Sequence, residues 1–178
     1  MRDGLMRHVN TCLAALLLLA VPARAADLVS ASDIPSVTTA LAAAGYKADL
    51  RRDDDGIRYL LVNEGPEEFS ISFGDCEDDV EATGCKLLIF DASWDAESGL
   101  DVETANRFNR DATLAHAFVD DDGVFVLTLV INTLGGLPTE NFAAVLAEWQ
   151  AADADLAAII GEDRAPASGT VIVASISR

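Results

Sequence analysis

Positive charge is scarce in this sequence: 12 Lys and Arg stand against 30 Asp and Glu, a formal net charge of −18. So acidic a body repels nucleic acid and anionic lipid headgroups, so neither is expected as a partner. Histidine is nearly missing, with two in 178 residues, and only His116 lies beyond residue 25. Sites needing two imidazoles, the His-Glu-x-x-His zinc motif among them, are thereby excluded. A lone histidine at the start of a strand is ordinarily a surface or packing residue rather than a general base. The Gly-x-Ser-x-Gly elbow and the phosphate-binding glycine loop are absent too. Carboxylate pairs are so abundant that none singles itself out for acid–base chemistry. The expectation is of no catalytic residue, no metal site and no cofactor.

Long apolar runs are also lacking, with one exception. Cys12 to Ala20 (CLAALLLLA) follows Arg2, Arg7 and His8 and precedes Pro22-Ala23-Arg24-Ala25. A positive start, a short apolar core and a small-x-small end make the pattern of a secretory signal peptide, with cleavage expected after Ala25. The run is too short for a permanent bilayer anchor. Residues 1–25 are therefore read as a leader. The mature chain is expected in the periplasm or secreted, with no membrane contact after leader removal. It would carry nine basic against 29 acidic residues over 153 positions, a charge of −20. That length is one domain's worth.

Cysteine is rare as well. Without Cys12, only Cys76 and Cys85 remain, an even number in an oxidising compartment. They sit near the two ends of an acidic loop joining Phe69–Phe73 to Leu87–Phe90. Phe69, Ile71 and Phe73 alternate with Ser70, Ser72 and Gly74, the period of a half-buried strand. Leu87 to Phe90 is apolar throughout, as in an interior strand covered on both faces. Antiparallel strands would bring the two thiols within bridging range, so a structural disulfide is expected. Closing so short a loop contributes roughly 2.5–3 kcal/mol in the chain-entropy model. A redox pair or a zinc site is the competing reading, but redox motifs space their cysteines two apart and zinc needs about four ligands.

The remaining chain predicts helix, four strands, helix, two strands, helix. Ser32 or Asp33 caps a first helix with Pro35 in its opening turn; Ile34, Val37, Leu41 and Ala44 share a face, and Gly45 stops it. Tyr46 to Arg51 and Ile57 to Val62 are strands around Asp53-Asp54-Asp55-Gly56. Asn63-Glu64-Gly65-Pro66 turns the chain into Phe69. Asp91 to Trp94 ends the strand begun at Leu87. Asp101 caps a second helix running to about Ala112, with Val102, Ala105 and Phe108 inward. His116–Val119 and Val124–Ile131 form a hairpin around Asp120-Asp121-Asp122-Gly123. Gly135-Gly136-Leu137-Pro138 reads as a break, and Thr139 caps the longest helix, to about Ile160. Its stripe is Phe142, Val145, Leu146, Trp149, Leu156 and Ile160, interrupted at Asp153, where a bend or lift-off is expected.

Both Asp-Asp-Asp-Gly tetrads read as hairpin turns, since Gly and Asp tolerate positive φ. Calcium is the alternative, but the loop pattern wants Gly sixth and Glu twelfth, and here Gly is fourth. The domain proper is taken as residues 26–164. Ala165 to Thr170 is a flexible linker, and Val171 to Ile176 (VIVASI) either adds an edge strand or stays loose.

Asn106-Arg107-Phe108-Asn109-Arg110, the strand at Ala117 to Asp120 and the turn at Asp122-Gly123 resemble the Asn-x-aromatic-Asn region of the YbjN family. Leu134 to Thr139 followed by a helix bearing Trp149 is similar to the family's glycine break and Trp-bearing helix. Phe69 to Phe73, Cys76, Cys85 and Leu87 to Phe90 resemble its central strand pair. The similarity spans about residues 28–160, and Phe108 stands where the family commonly has tryptophan. The resemblance implies an α+β fold like that of type III secretion chaperones: an antiparallel β-sheet with helices packed on it, often dimeric. It implies no catalytic residue and a role in sensory transduction. The leader argues against a cytoplasmic chaperone role.

Asn106 and Asn109 lie about one turn apart, and their amides are expected to tie the second helix to neighbouring backbone. In the functional alternative, Asn106, Phe108, Asn109 and Arg110 line a partner or ligand groove. The expected function is non-enzymatic binding of a protein or peptide partner, with homodimerisation open. The alternatives are an acidic calcium-responsive protein and, last, an unrecognised hydrolase.

Overall fold

The computed structural model describes residues 27–63, 68–95 and 98–160. The leader, cleavage point and tail strand expected from the sequence lie outside these residues. The order is β1 (Leu28–Val29), α1 (Ile34–Ala43), β2 (Ala48–Arg52), β3 (Arg58–Val62), β4 (Phe69–Gly74) and β5 (Leu87–Trp94). It continues with α2 (Val102–Asn109), β6 (His116–Val119), β7 (Phe125–Asn132), β8 (Leu137–Pro138) and α3 (Thr139–Ile160).

Six strands form one antiparallel sheet in the order β2-β3-β4-β5-β7-β6, and β1 pairs with β8 in a separate two-stranded sheet. Consecutive hairpins build the first four strands. The two Asp-Asp-Asp-Gly turns close two hairpins with the same hydrogen bonds. Asp53 Oδ1 accepts the N–H groups of Asp55 and Ile57 at 3.0 and 2.8 Å, and Asp120 Oδ1 those of Asp122 and Val124 at 3.0 and 2.8 Å. Gly56 and Gly123 adopt φ of 82° and 81°, the left-handed conformation such a turn requires. The first carboxylate of each tetrad is thus spent on backbone amides.

Strand alternation puts Leu60, Ile71, Phe90 and Leu129 in one cross-strand row. The three described helices lie on this face. Trp149 of α3 sits 5.4 Å from the Phe69 ring centroid and 5.8 Å from that of Phe90, and Phe142 lies 6.3 Å from Phe90. Val37 and Leu41 of α1 and Ala105 and Phe108 of α2 complete the cluster. α1 ends as the sequence suggests, with Gly45 at φ 93° and the Tyr46 N–H returning to the Leu41 carbonyl at 3.0 Å.

Four local expectations are corrected. Asp33 holds the N-cap position of α1 without a side-chain cap bond; instead the Ser36 hydroxyl donates to the Asp33 carbonyl at 2.7 Å. Thr139 is the first residue of α3, and its hydroxyl donates to the Asp27 carbonyl. α3 runs unbroken through Asp153, because packing of Trp149 and Leu156 on either side holds the helix down. The break after β7 contains β8, whose Leu137 and Pro138 pair with Val29 and Leu28. Gly136 permits this approach: a Cβ there would lie 2.8 Å from Leu28 Cδ1. Thr133, 1% exposed, anchors the junction by accepting the Ala31 N–H at 2.8 Å and donating to the Lys86 carbonyl at 3.1 Å.

Cys76 and Cys85 are joined by a disulfide. The acidic loop it closes is clamped to the β2–β3 hairpin. Glu81 lies between Arg52 and Arg58, directly opposed on adjacent strands, with N–O distances of 2.9 and 2.6 Å. It offsets the repulsion that two facing guanidinium groups would otherwise feel.

Candidate functional site

The second face of the six-stranded sheet has a different chemistry. Its central row, in register, is Asp49, Leu61, Ser70, Asp91, Thr128 and His116. Beside it run Tyr59, Ser72, Ile89 and Val130, and on the other side Ser93, Val126 and Phe118. No described helix packs here: Ile89, Val124 and Val126 are buried yet stand apart from the helix-side cluster. Phe118 and Val130 are 42% and 52% exposed beside them. In a chain with 24% charged residues, the β5, β7 and β6 positions of this face carry one formal charge, at Asp91, while Asp49 and Arg51 lie on β2 at the far edge. Depletion of charge around exposed aromatic and aliphatic side chains is the composition of an interface centre.

Two polar groups sit within it. The Ser72 hydroxyl is buried with no hydrogen-bond partner among the described residues. Asp91 is held above the ordinary carboxylate range by burial, which a hydrogen bond from the Thr128 hydroxyl partly offsets. Its charged or titratable neighbours along the row are His116, two strands away, and Asp49, three strands away. Because the folded state favours the protonated form, this stabilising effect is complete below the unfolded carboxyl's pKa of 3.8 and is lost as pH rises through the folded value. Asp91→Asn is therefore expected to raise the melting temperature at pH 7 by a few degrees, with the difference from wild type shrinking toward pH 3. Thermal scans across that range check it, and an equal gain at all pH values would contradict it.

The sequence profile of a family described as "Putative bacterial sensory transduction regulator", YbjN, matches residues 34–159. The chain belongs to the YbjN family. Among solved structures it is similar to YbjN of E. coli, described there as "a putative transcription regulator", at 18% identity and a TM-score of 0.51. That alignment covers 76% of this chain and 92% of the other, and it shows a shared fold. An uncharacterized protein from Methanothermobacter thermautotrophicus aligns at 12% identity and a TM-score of 0.48, over 72% of this chain and 96% of that one. No curated protein matches. The YbjN description names a regulator, which supports a regulatory role.

The YbjN-like run Asn106 to Arg110 is dispersed by α2 rather than gathered. Phe108 is buried in the core, while Asn106 and Arg110 are exposed. Asn109 reaches β6: its amide nitrogen donates to the Ala117 carbonyl at 2.8 Å, and its oxygen accepts the Ala117 N–H at 2.7 Å. Ala117 is the edge-strand residue whose backbone points away from β7, so Asn109 closes the edge as a neighbouring strand would. Asn109→Ala is expected to lower stability by about 1–3 kcal/mol, measured by urea denaturation, since both backbone groups lose their partner. An unchanged midpoint would mean that water replaces the amide.

A small cleft of about 70 Å³ lies between α2 and α3, lined by Phe108, Asp111, Leu114, Glu148 and Asp155. Of the four residues considered for a groove, only Phe108 touches it. Among the described residues, no group of three or more His, Cys, Asp or Glu is placed to hold a metal. This second face, which no described helix covers, was not legible in the sequence. Its one signal was the run Leu87 to Phe90, apolar at every position, whose Ile89 points to this face.

Proposed function

We propose that the chain is an exported, non-enzymatic binding protein that receives an extended, uncharged peptide segment on the second face of its sheet. The observation that carries this reading is the β5–β7–β6 part of that face, where exposed Phe118 and Val130 lie beside buried Val126 and Ile89 and Asp91 is the one formal charge. Pleated side-chain rows recognise alternating apolar residues. The leader-like N-terminus and a cysteine pair that survives its removal support a periplasmic or secreted location. YbjN membership supports regulation rather than catalysis.

Peptide-display selection on the exported protein tests this. Selected peptides are expected to be apolar and β-prone, and Val130→Asp is expected to weaken them at least tenfold. Selection that yields no enriched class, or peptides indifferent to Val130→Asp, would sink the reading. Recovery of an intact N-terminus with free thiols at 76 and 85 would remove the export part.

A further inference from the structure

We infer that the chain's own C-terminal segment, Val171 to Ile176, lies on the second face of the sheet and occupies the proposed peptide site. The inference rests on that reading of the site, and it makes the segment an internal competitor.

The described domain ends at Ile160. That end is held beside α2, where the Arg107 guanidinium donates to the Ile159 carbonyl at 3.3 Å. α2 is fastened in turn to the edge strand β6 through Asn109 and Ala117. The chain therefore leaves the domain on the β6 side. Ten residues, Gly161 to Thr170, precede Val171. Extended, they reach up to about 33–36 Å. Crossing from β6 over β7 to β5 takes only two strand spacings, about 10 Å.

The edge of β6 is not open to the segment at its middle, because the Asn109 amide holds both backbone groups of Ala117. On the adjoining face no described helix packs, and Phe118 and Val130 are partly exposed. VIVASI carries no charge, and alternation puts Ile172, Ala174 and Ile176 on one side. Two apolar pairs on that surface, Val126–Phe118 and Ile89–Val130, flank the Asp91–Thr128–His116 row, whose one formal charge is Asp91. Three buried groups there, Ser70, Ile89 and Val126, are 1%, 8% and 4% exposed although no described helix covers them. A strand laid across them supplies that cover. Flat apolar β-surface left bare also invites association between copies, so a tethered occupant has a plain physical advantage.

The test is photocrosslinking in the full chain, with benzoylphenylalanine replacing Val173. An intrachain adduct to peptides containing residues 87–93 or 126–132 is expected, independent of protein concentration and lost with Val130→Asp. Adducts confined to the helices, adducts only between copies, or none would overturn the inference. So would adducts to the same peptides from a probe at Leu16 in place of those from 173, which would assign the face to the leader. The two readings fail separately. If the tail crosslinks but no foreign peptide binds, the function falls and the internal contact stands. If the tail does not crosslink while selected peptides bind, the reverse holds. If both hold, ending the chain after Arg164 is expected to tighten selected peptides at least tenfold; unchanged affinity would overturn internal competition.

Discussion

Replacing Trp149 with alanine is expected to destabilise the protein by about 3–5 kcal/mol, the largest effect of any single substitution discussed. The indole is 3% exposed and packs on Phe69 and Phe90, which themselves stack at 6.1 Å. Truncation removes the transfer free energy of a large aromatic and leaves a void between α3 and β4–β5. The two rings cannot close it, because Phe90 also packs against Phe142. Much of a marginal native state's 5–15 kcal/mol would be lost. Guanidinium denaturation of Trp149→Ala and Trp149→Phe measures it, with the phenylalanine variant expected to recover a large part. A loss below about 1 kcal/mol for alanine would mean that α3 is not held through this residue. The same variant is informative about function. The proposed peptide face lies on the opposite side of the sheet, so Trp149→Phe is expected to leave peptide affinity unchanged.

Removal of the disulfide comes second. Cys76→Ser is expected to cost roughly 2.5–3 kcal/mol, the chain entropy released when a loop of about ten residues opens in the unfolded state. For a domain of this size that is a fall of about 5–12 °C in melting temperature. The folded loop has contacts of its own that should survive: Glu81 to Arg52 and Arg58, and Lys86 Nζ to Asp75 Oδ2 at 3.0 Å. The exposed pairs contribute little each, so they do not replace the bond. Equal melting temperatures with and without reductant, after complete reduction is verified, would refute the estimate. Cys85 is buried against the core and Cys76 packs at its margin, so the serine variant should keep the native sheet.

The sheet that carries the proposed site divides its labour by face. Helices use one side, where Trp149, Phe142 and Leu41 bury the large residues of β3, β4 and β5. The other side keeps small hydroxyls at Ser70 and Ser72 among aliphatic neighbours. Asp91 is the exception, a carboxyl kept at an energetic cost in an otherwise uncharged centre. Removing its charge at neutral pH is therefore expected to stabilise the fold, and testing Asp91→Asn for peptide binding separates a tolerated neighbour from a recognition group.

What the sequence determined by itself was everything governed by neighbours in the chain. Alternation of Phe69, Ile71 and Phe73 set a strand, Asp101 capped α2 by accepting the Thr104 N–H at 2.9 Å, and both Asp-Asp-Asp-Gly turns formed. These depend on local dihedrals and hydrogen bonds within four residues, so composition and spacing suffice. The family was legible for the same reason, in the order of such pieces. Only the tertiary structure decided that β7 lies between β5 and β6, and that two-residue strands more than a hundred positions apart meet as β1 and β8. It also turned Asn109 to the edge of β6 and separated it from the buried Phe108. Strands of two residues carry no periodicity, and strand order depends on which surfaces the helices bury first. The three described helices bury their apolar stripes on one side, so no described helix covers the second face.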